Sequence, residues 1–192
     1  MDDAAIERLV RAAQRGDPEA FGRIFDHYHV SVHRYVASRV SRPSDAEDLT
    51  QIVFVKALEA LPRYEARGIP FGGWLFRLAR NAIIDHIRTR HEHFDLNEAI
   101  EHPAGEAEPS DVAELKSELD AVAAALRTLT NEQRETIALR FFAGLSAREA
   151  AEAMGKQEGT IRGLQFRAIA ALRRALGVER HGTADDEDGE TQ

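Results

Sequence analysis

The residue types in this chain that could do chemistry are mainly arginines set at helical spacing. Between 157 and 176, Arg162, Gly163, Phe166, Arg167, Arg173 and Arg174 project away from Ile161, Leu164, Ala168 and Leu172. No acidic residue lies between 159 and 178. Guanidinium groups on such a face can take guanine edges or phosphates, and an exposed Phe166 can meet a thymine methyl. A second set, Arg77, Arg80, Asn81, Ile84 and Arg88, lies opposite Leu75, Leu78, Ala79, Ala82, Ile83 and Ile87. It combines phosphate donors with an amide for a base edge, which suits single-stranded or melting DNA. Asp45, Glu47, Asp48 and Gln51 form an acidic patch at the start of another helix, where negative charge also favours the helix dipole.

Other chemistries lack their parts. His29 and His33 are four apart, the right spacing for two metal ligands, but no third or fourth ligand is evident. They read as surface histidines, so neither a metal nor a cofactor is expected. Carboxylate pairs such as Glu47-Asp48 sit at an exposed helix end with no apolar pocket to raise a pKa. There is no glycine-rich phosphate loop and no serine elbow, so no catalytic residue and no enzymatic activity are expected. With no cysteine, disulfides and thiolate metal sites are excluded, and a reducing compartment fits. The start is acidic, and no stretch approaches the ~18 apolar residues of a membrane span, so a cytoplasmic protein without membrane insertion is expected.

The elements that must position these faces are helical throughout. The 192 residues carry a formal charge of -8, which argues against indiscriminate binding to a polyanion. That charge is unevenly spread: residues 1–91 sum to +2, 92–120 to -9, 121–176 to +4 and the last sixteen to -5. An all-α fold of two small helical domains is expected, residues 1–91 and 114–177, joined by a flexible acidic linker over 92–113 and followed by a disordered acidic tail over 178–192. Ile6, Leu9, Val10 and Ala13 stripe a first helix, and Asp17-Pro18 caps a second bearing Phe21, Ile24, Phe25, Tyr28, Val32, Tyr35 and Val36. Ser44-Asp45-Ala46-Glu47 reads as a capping box opening a third helix, whose buried stripe is Leu49, Ile52, Val53, Ala57, Ala60 and Leu61. A fourth is expected over about 72–90, with Trp74 packing inward. Further helices are expected near 111–128, 131–143, 146–154 and 158–176, with Gly144 and Gly155 as stops. The last two form a helix-turn-helix, whose second helix enters the DNA major groove. Gln157 is a poor cap for that helix.

At this point the chain resembles the extracytoplasmic-function group of the sigma-70 superfamily of bacterial transcription initiation factors. Asp45 through Ala57 resembles the family's polymerase-core-binding helix, Phe71 through Arg88 its promoter -10 segment, and Gly144 through Ala168 its -35-reading helix-turn-helix. The three in this order cover about residues 5–176. The resemblance implies docking of Asp45, Glu47, Asp48 and Gln51 on the clamp helices of the polymerase's largest subunit, a further contact with the β-subunit flap, and promoter DNA as ligand. It implies -35 contacts from Arg162, Gly163, Phe166, Arg167, Arg173 and Arg174, and -10 contacts from Arg77, Arg80, Asn81, Ile84 and Arg88. The loop Arg63 to Pro70, with Arg63 and Arg67, corresponds to the segment that captures an extruded -10 base. An anti-sigma factor is also implied, as is threading of the acidic linker toward the RNA path. Two alternatives stay open: a two-domain helix-turn-helix regulator with an N-terminal sensor, and a sigma-like decoy that binds an anti-sigma factor.

Overall fold

The computed structural model describes residues 1–66, 68, 70–93 and 121–177, the side chains of 91–93 excepted. The acidic linker, the tail, Arg67 and the expected helix start at 111–120 lie outside these residues. The described residues are helical, with no strand among them.

The first module contains α1 (Asp3–Gln14), α2 (Pro18–Ala37), α3 (Pro43–Ala60), a short 3-10 turn over Leu61–Arg63, and α4 (Phe71–His93). Asp17 caps α2 by accepting from the amides of Glu19 (3.0 Å) and Ala20 (3.2 Å), with Pro18 in the first turn where no amide donor is needed. The expected capping box at Ser44 is not used. Helix α3 begins two residues earlier, at Pro43, with Arg42 as an extended N-cap that makes no side-chain cap bond. Proline disfavours the helical region for the residue before it, so Arg42 marks the boundary.

The buried face of α3 is also rotated from the expected one. Ala46, Leu49, Thr50, Val53, Phe54 and Ala57 are buried, whereas Ile52 is 42% exposed. The helix packs against both α2 and α4, which centres its buried stripe between these neighbours and leaves Ile52 on the outer side. Phe25, expected in the core of α2, lies at its edge and rests on Phe54, ring centroids 4.6 Å apart. In α4 the core positions Leu75, Ala79, Ala82 and Ile83 are buried as expected, and Leu78 and Ile87 are half-buried. Phe76, which the helical projection leaves off the core face, is fully buried against the Tyr35 ring at 5.6 Å.

The second module comprises α5 (described over 121–127), α6 (Asn131–Ile137) running into a single π turn over Ala138–Phe142, α7 (Ala147–Met154) and α8 (Glu158–Ala175). Thr130 and Ser146 each make a full capping box, with Gln133 and Glu149. Ser146→Ala should therefore lower stability by ~1 kcal/mol, read as a lower denaturation midpoint with an unchanged m-value. The two modules are not separate bundles side by side. One continuous cluster of buried residues runs from Ile6 and Val10, through the α2, α3 and α4 stripes, to Ala150, Ala151 and Ile161. The most extensive contact between elements is that of α4 with α7.

Candidate nucleic-acid interface

Two helices and a glycine turn build the recognition unit. Gly155 closes α7 in the left-handed conformation (φ 63°, ψ 38°), which glycine adopts without a Cβ penalty, and α8 starts three residues later. Ile161, Leu164 and Ala168 are buried and Leu172 is half-buried, which turns the opposite side of α8 to solvent. Arg162, Phe166, Arg167, Arg173 and Arg174 are all exposed there, with Gly163 half-buried beneath the Arg167 guanidinium. Phe166 is 71% exposed, more than any other large apolar side chain described. Gln157 makes no side-chain cap bond. Arg140, which the sequence pattern does not mark, holds the middle of α8: its Nε donates to Gln165 Oε1 at 2.9 Å while its guanidinium donates to the Leu145 carbonyl. It thereby ties α8 to the loop before α7. Arg162 is paired with Glu158 one turn earlier, through Nε at 3.1 Å.

The α4 face is built differently. Arg77, Asn81, Ile84 and Arg88 are exposed, and Arg80 is partly covered. Arg88 lies 3.5 Å from Asp85 on its own helix. Beside Arg77 opens a cavity of about 430 Å³ lined by Arg63, Tyr64, Glu65, Pro70, Trp74, Arg77 and Glu152. Two aromatic rings stand in its wall, Tyr64 and Trp74, with centroids 4.8 Å apart, and the buried Phe71 ring backs Trp74 at 5.1 Å. Trp74 is thus half-buried, packed inward on one side and lining the cavity on the other. Gln14 anchors the loop, donating from Nε2 to the carbonyls of Leu61 (3.0 Å) and Tyr64 (2.7 Å). Nothing in the residue pattern marks Gln14, because its partners are carbonyls about fifty residues away. Burial pushes the Tyr64 hydroxyl pKa up, helped by the nearby charges of Glu7 and Glu152.

On α3, Glu47, Asp48 and Gln51 are exposed, and the exposed strip continues through Ile52, Val55 and Leu58. Asp45 is turned the other way: its carboxylate lies 2.8 Å from the Arg90 guanidinium and 3.4 Å from His86 Nε2, linking α3 to α4. His29 and His33 stack at 6.4 Å, and no group of three or more potential metal ligands occurs among the described residues.

An acidic set in the second module faces the first. Glu135 is almost fully buried; it accepts from the Tyr35 hydroxyl and pairs with Arg39 at 2.9 Å and Arg80 at 3.8 Å. Glu152 accepts from Arg77 at 3.0 Å. Burial and the Glu135 carboxylate together raise the Tyr35 pKa far above that of a free phenol.

An exposed basic recognition helix after a glycine turn, tied to a second basic helical face, defines a helix-turn-helix DNA-binding protein of two modules. Residues 24–92 match the family model of Sigma-70 region 2, and residues 125–174 that of Sigma-70, region 4. The chain belongs to the extracytoplasmic-function (ECF) RNA polymerase sigma factors, the proteins that direct transcription initiation. It is 38% identical over 177 residues to the ECF RNA polymerase sigma factor BldN of Streptomyces coelicolor, covering 91% of this chain and 67% of that protein. To the ECF factor ShbA of Streptomyces griseus it is 35% identical over 182 residues, covering 90% and 95%. Among solved structures, CnrH in complex with the cytosolic domain of CnrY matches 92% of this chain and 99% of its own with a TM-score of 0.69 at 29% identity. The sigma factor RpoE bound to the anti-sigma factor NepR from Bartonella quintana matches 83% and 98% with a TM-score of 0.62 at 27% identity. No described helix is long and apolar enough to cross a membrane.

Proposed function

We propose that this sigma factor divides its work between the two modules at the residues described above. Helix α8 reads the -35 element, with Arg162, Phe166, Arg167, Arg173 and Arg174 as its contacts and Gly163 allowing close approach. Helix α4 and the aromatic cavity take the opened -10 element, with Arg77, Arg80, Arg88 and Arg63 on phosphates and Asn81 and Ile84 toward bases. A cavity of about 430 Å³ with Tyr64 and Trp74 in its wall has room for an extruded base, and stacking on an aromatic ring contributes ~1–3 kcal/mol per base. The observation that carries the reading is Phe166: a ring 71% exposed amid arginines is costly in water and productive only in a groove. Purified protein added to core RNA polymerase with a promoter library should yield transcripts from a single class of start site. Absence of promoter-specific initiation would refute the reading.

Core polymerase docks on the outer face of α3. Exposed Asp48 and Gln51 beside the apolar strip Ile52 and Val55 support this, since a polar rim around apolar surface is typical of protein interfaces. Asp45 serves the α3 to α4 contact instead, with Arg90 and His86 as its partners. Asp48→Ala with Gln51→Ala should weaken capture of core polymerase in a pull-down by roughly 5-fold or more, and Ile52→Glu by more, with no change in thermal stability. CnrH is solved with the cytosolic domain of CnrY and RpoE with the anti-sigma factor NepR, so an anti-sigma factor is the regulatory partner proposed for this chain.

A further inference from the structure

One edge of the aromatic cavity is formed by the chain that leaves α3. Leu61–Arg63 is a single 3-10 turn, and Tyr64 follows it in extended backbone (φ -70°, ψ 128°). The Tyr64 amide closes the turn on the Leu61 carbonyl at 3.0 Å. Such turns have poorer hydrogen-bond geometry than an α-helix, so a lone one gains from outside support. This turn matters because it delivers two residues of the cavity wall, Arg63 and Tyr64.

The support comes from α1. Gln14 is the last residue of that helix, and its Nε2 donates to the carbonyls of Leu61 and Tyr64, at either end of the turn. A carboxamide carries two N–H donors on one nitrogen, so a single side chain can serve both acceptors. Both bonds are partly buried, which limits competition from water. The side chain also springs from a rigid corner, since Ile6 and Val10 bury α1 and Asp17 caps α2 three residues beyond Gln14. With its carbonyl held, Tyr64 sets its ring edge-on to the buried Phe71, centroids 5.3 Å apart and planes at 86°, and against Trp74. The far end of the same loop is fixed separately, by the Pro70 carbonyl accepting from the Gly73 amide at 3.0 Å. One end of the loop is therefore set by α1 and the other by α4.

We propose that Gln14 is a positioning residue for capture of the extruded -10 base: by holding the Leu61 and Tyr64 carbonyls it places the Tyr64 ring and Arg63 in the wall that receives the base. The inference rests on assigning that cavity to the -10 element. Gln14 itself touches no DNA. It acts on base capture and not on general adhesion to the strand, because Arg77, Arg80 and Arg88 project from α4 whatever the turn does. Helix α1, which carries none of the contacts assigned above, thereby takes part in promoter opening.

The test reads the captured base. Holoenzyme reconstituted from core polymerase and the full chain is titrated into labelled single-stranded oligonucleotides spanning the -10 element of a selected promoter, intact or with each base removed in turn. In the parent, one abasic position should weaken binding by about 10-fold, as expected for loss of one stacked base. Gln14→Leu keeps the volume without the donors, and Gln14→Glu sets a carboxylate against two carbonyl oxygens. In both, the same abasic position should cost less than about 3-fold, with core capture and -35 duplex binding unchanged. A residue that only braced the fold would weaken intact and abasic strands alike, so a penalty that stays at its parental value in both variants would overturn the role of Gln14 and leave the cavity assignment standing. Absence of any sensitive position in the parent would overturn the cavity assignment and the role of Gln14 with it. Trp74 gives an independent readout, being the single tryptophan of the chain and a part of the cavity wall. Its emission in the free protein should change in both variants as the Tyr64 ring moves, and spectra identical to the parent's would overturn the positioning whatever the oligonucleotides report.

Discussion

Replacing Arg162 and Arg167 together by alanine should reduce -35-dependent initiation by about 30-fold to 10⁴-fold while leaving capture of core polymerase unchanged. Each arginine contributes ~1–3 kcal/mol if it makes a bidentate contact with a base, and ~1.4 kcal/mol is a factor of ten. The two differ in what they leave behind. Arg167 reaches back over Gly163 and has no acidic neighbour on α8, so its whole interaction is available to DNA. Arg162 is already engaged by Glu158 on Nε and Nη2, and binding a base exchanges one partner for another. Arg167→Ala should therefore be the more damaging single change, and Glu158→Gln should alter sequence preference more than affinity. Run-off transcription on the selected promoter, paired with a core pull-down, separates these effects. Normal transcription by the double variant would show that α8 presents a different register to the groove.

Phe76→Ala should lower stability by ~3–5 kcal/mol, the range for removing a buried aromatic ring. For a chain of this size that corresponds to a fall in melting temperature of roughly 6–20 °C. The ring is fully buried, so its cavity is not filled by solvent-side rearrangement. The loss also propagates. Phe76 supports the Tyr35 ring edge-on, Tyr35 donates its hydroxyl to Glu135, and Glu135 is the carboxylate on Arg39 and Arg80. Loss of the ring should thus loosen the contact between modules as well as the first module's core, visible as a less cooperative melt. Phe76→Leu keeps much of the volume and should recover more than half of the loss. A melting temperature within a degree or two of the parent would mean that Phe76 is replaceable by neighbouring apolar side chains.

Much of the architecture was legible because helices announce themselves locally. Asp17-Pro18 starts α2, Ser146 starts α7, and Gly155 ends it, each through contacts within four residues. The solvent side of α8 was legible for the same reason: Ile161, Leu164 and Ala168 are buried at helical spacing, and the arginines occupy what is left. Where the reading of the sequence departed from the structure, the deciding neighbour was distant in the chain. Ile52 is exposed because α2 and α4 flank the other side of α3, and Phe76 is buried because Tyr35 meets it from α2. Asp45 matched the acidic patch by type, but Arg90 and His86, more than forty residues away, draw it toward α4.

The same distinction governs function. By itself the sequence determined the family, through the resemblance of three ordered segments, while residue type and helical period determined the order of the helical elements and the side of α8 that faces solvent. Only the tertiary structure decided what those residues touch in the free chain. Glu135, Glu149 and Glu152 are unremarkable acidic positions in a helical sequence, and Gly72-Gly73 reads as a poor helix start. Their common meaning emerges when α7 lies across α4 and sets Glu152 on Arg77, while α6 brings Glu135 to Arg80. Charge pairing over separations of 55 to 75 residues leaves no periodic trace, because Coulomb attraction depends on distance in space and not along the chain.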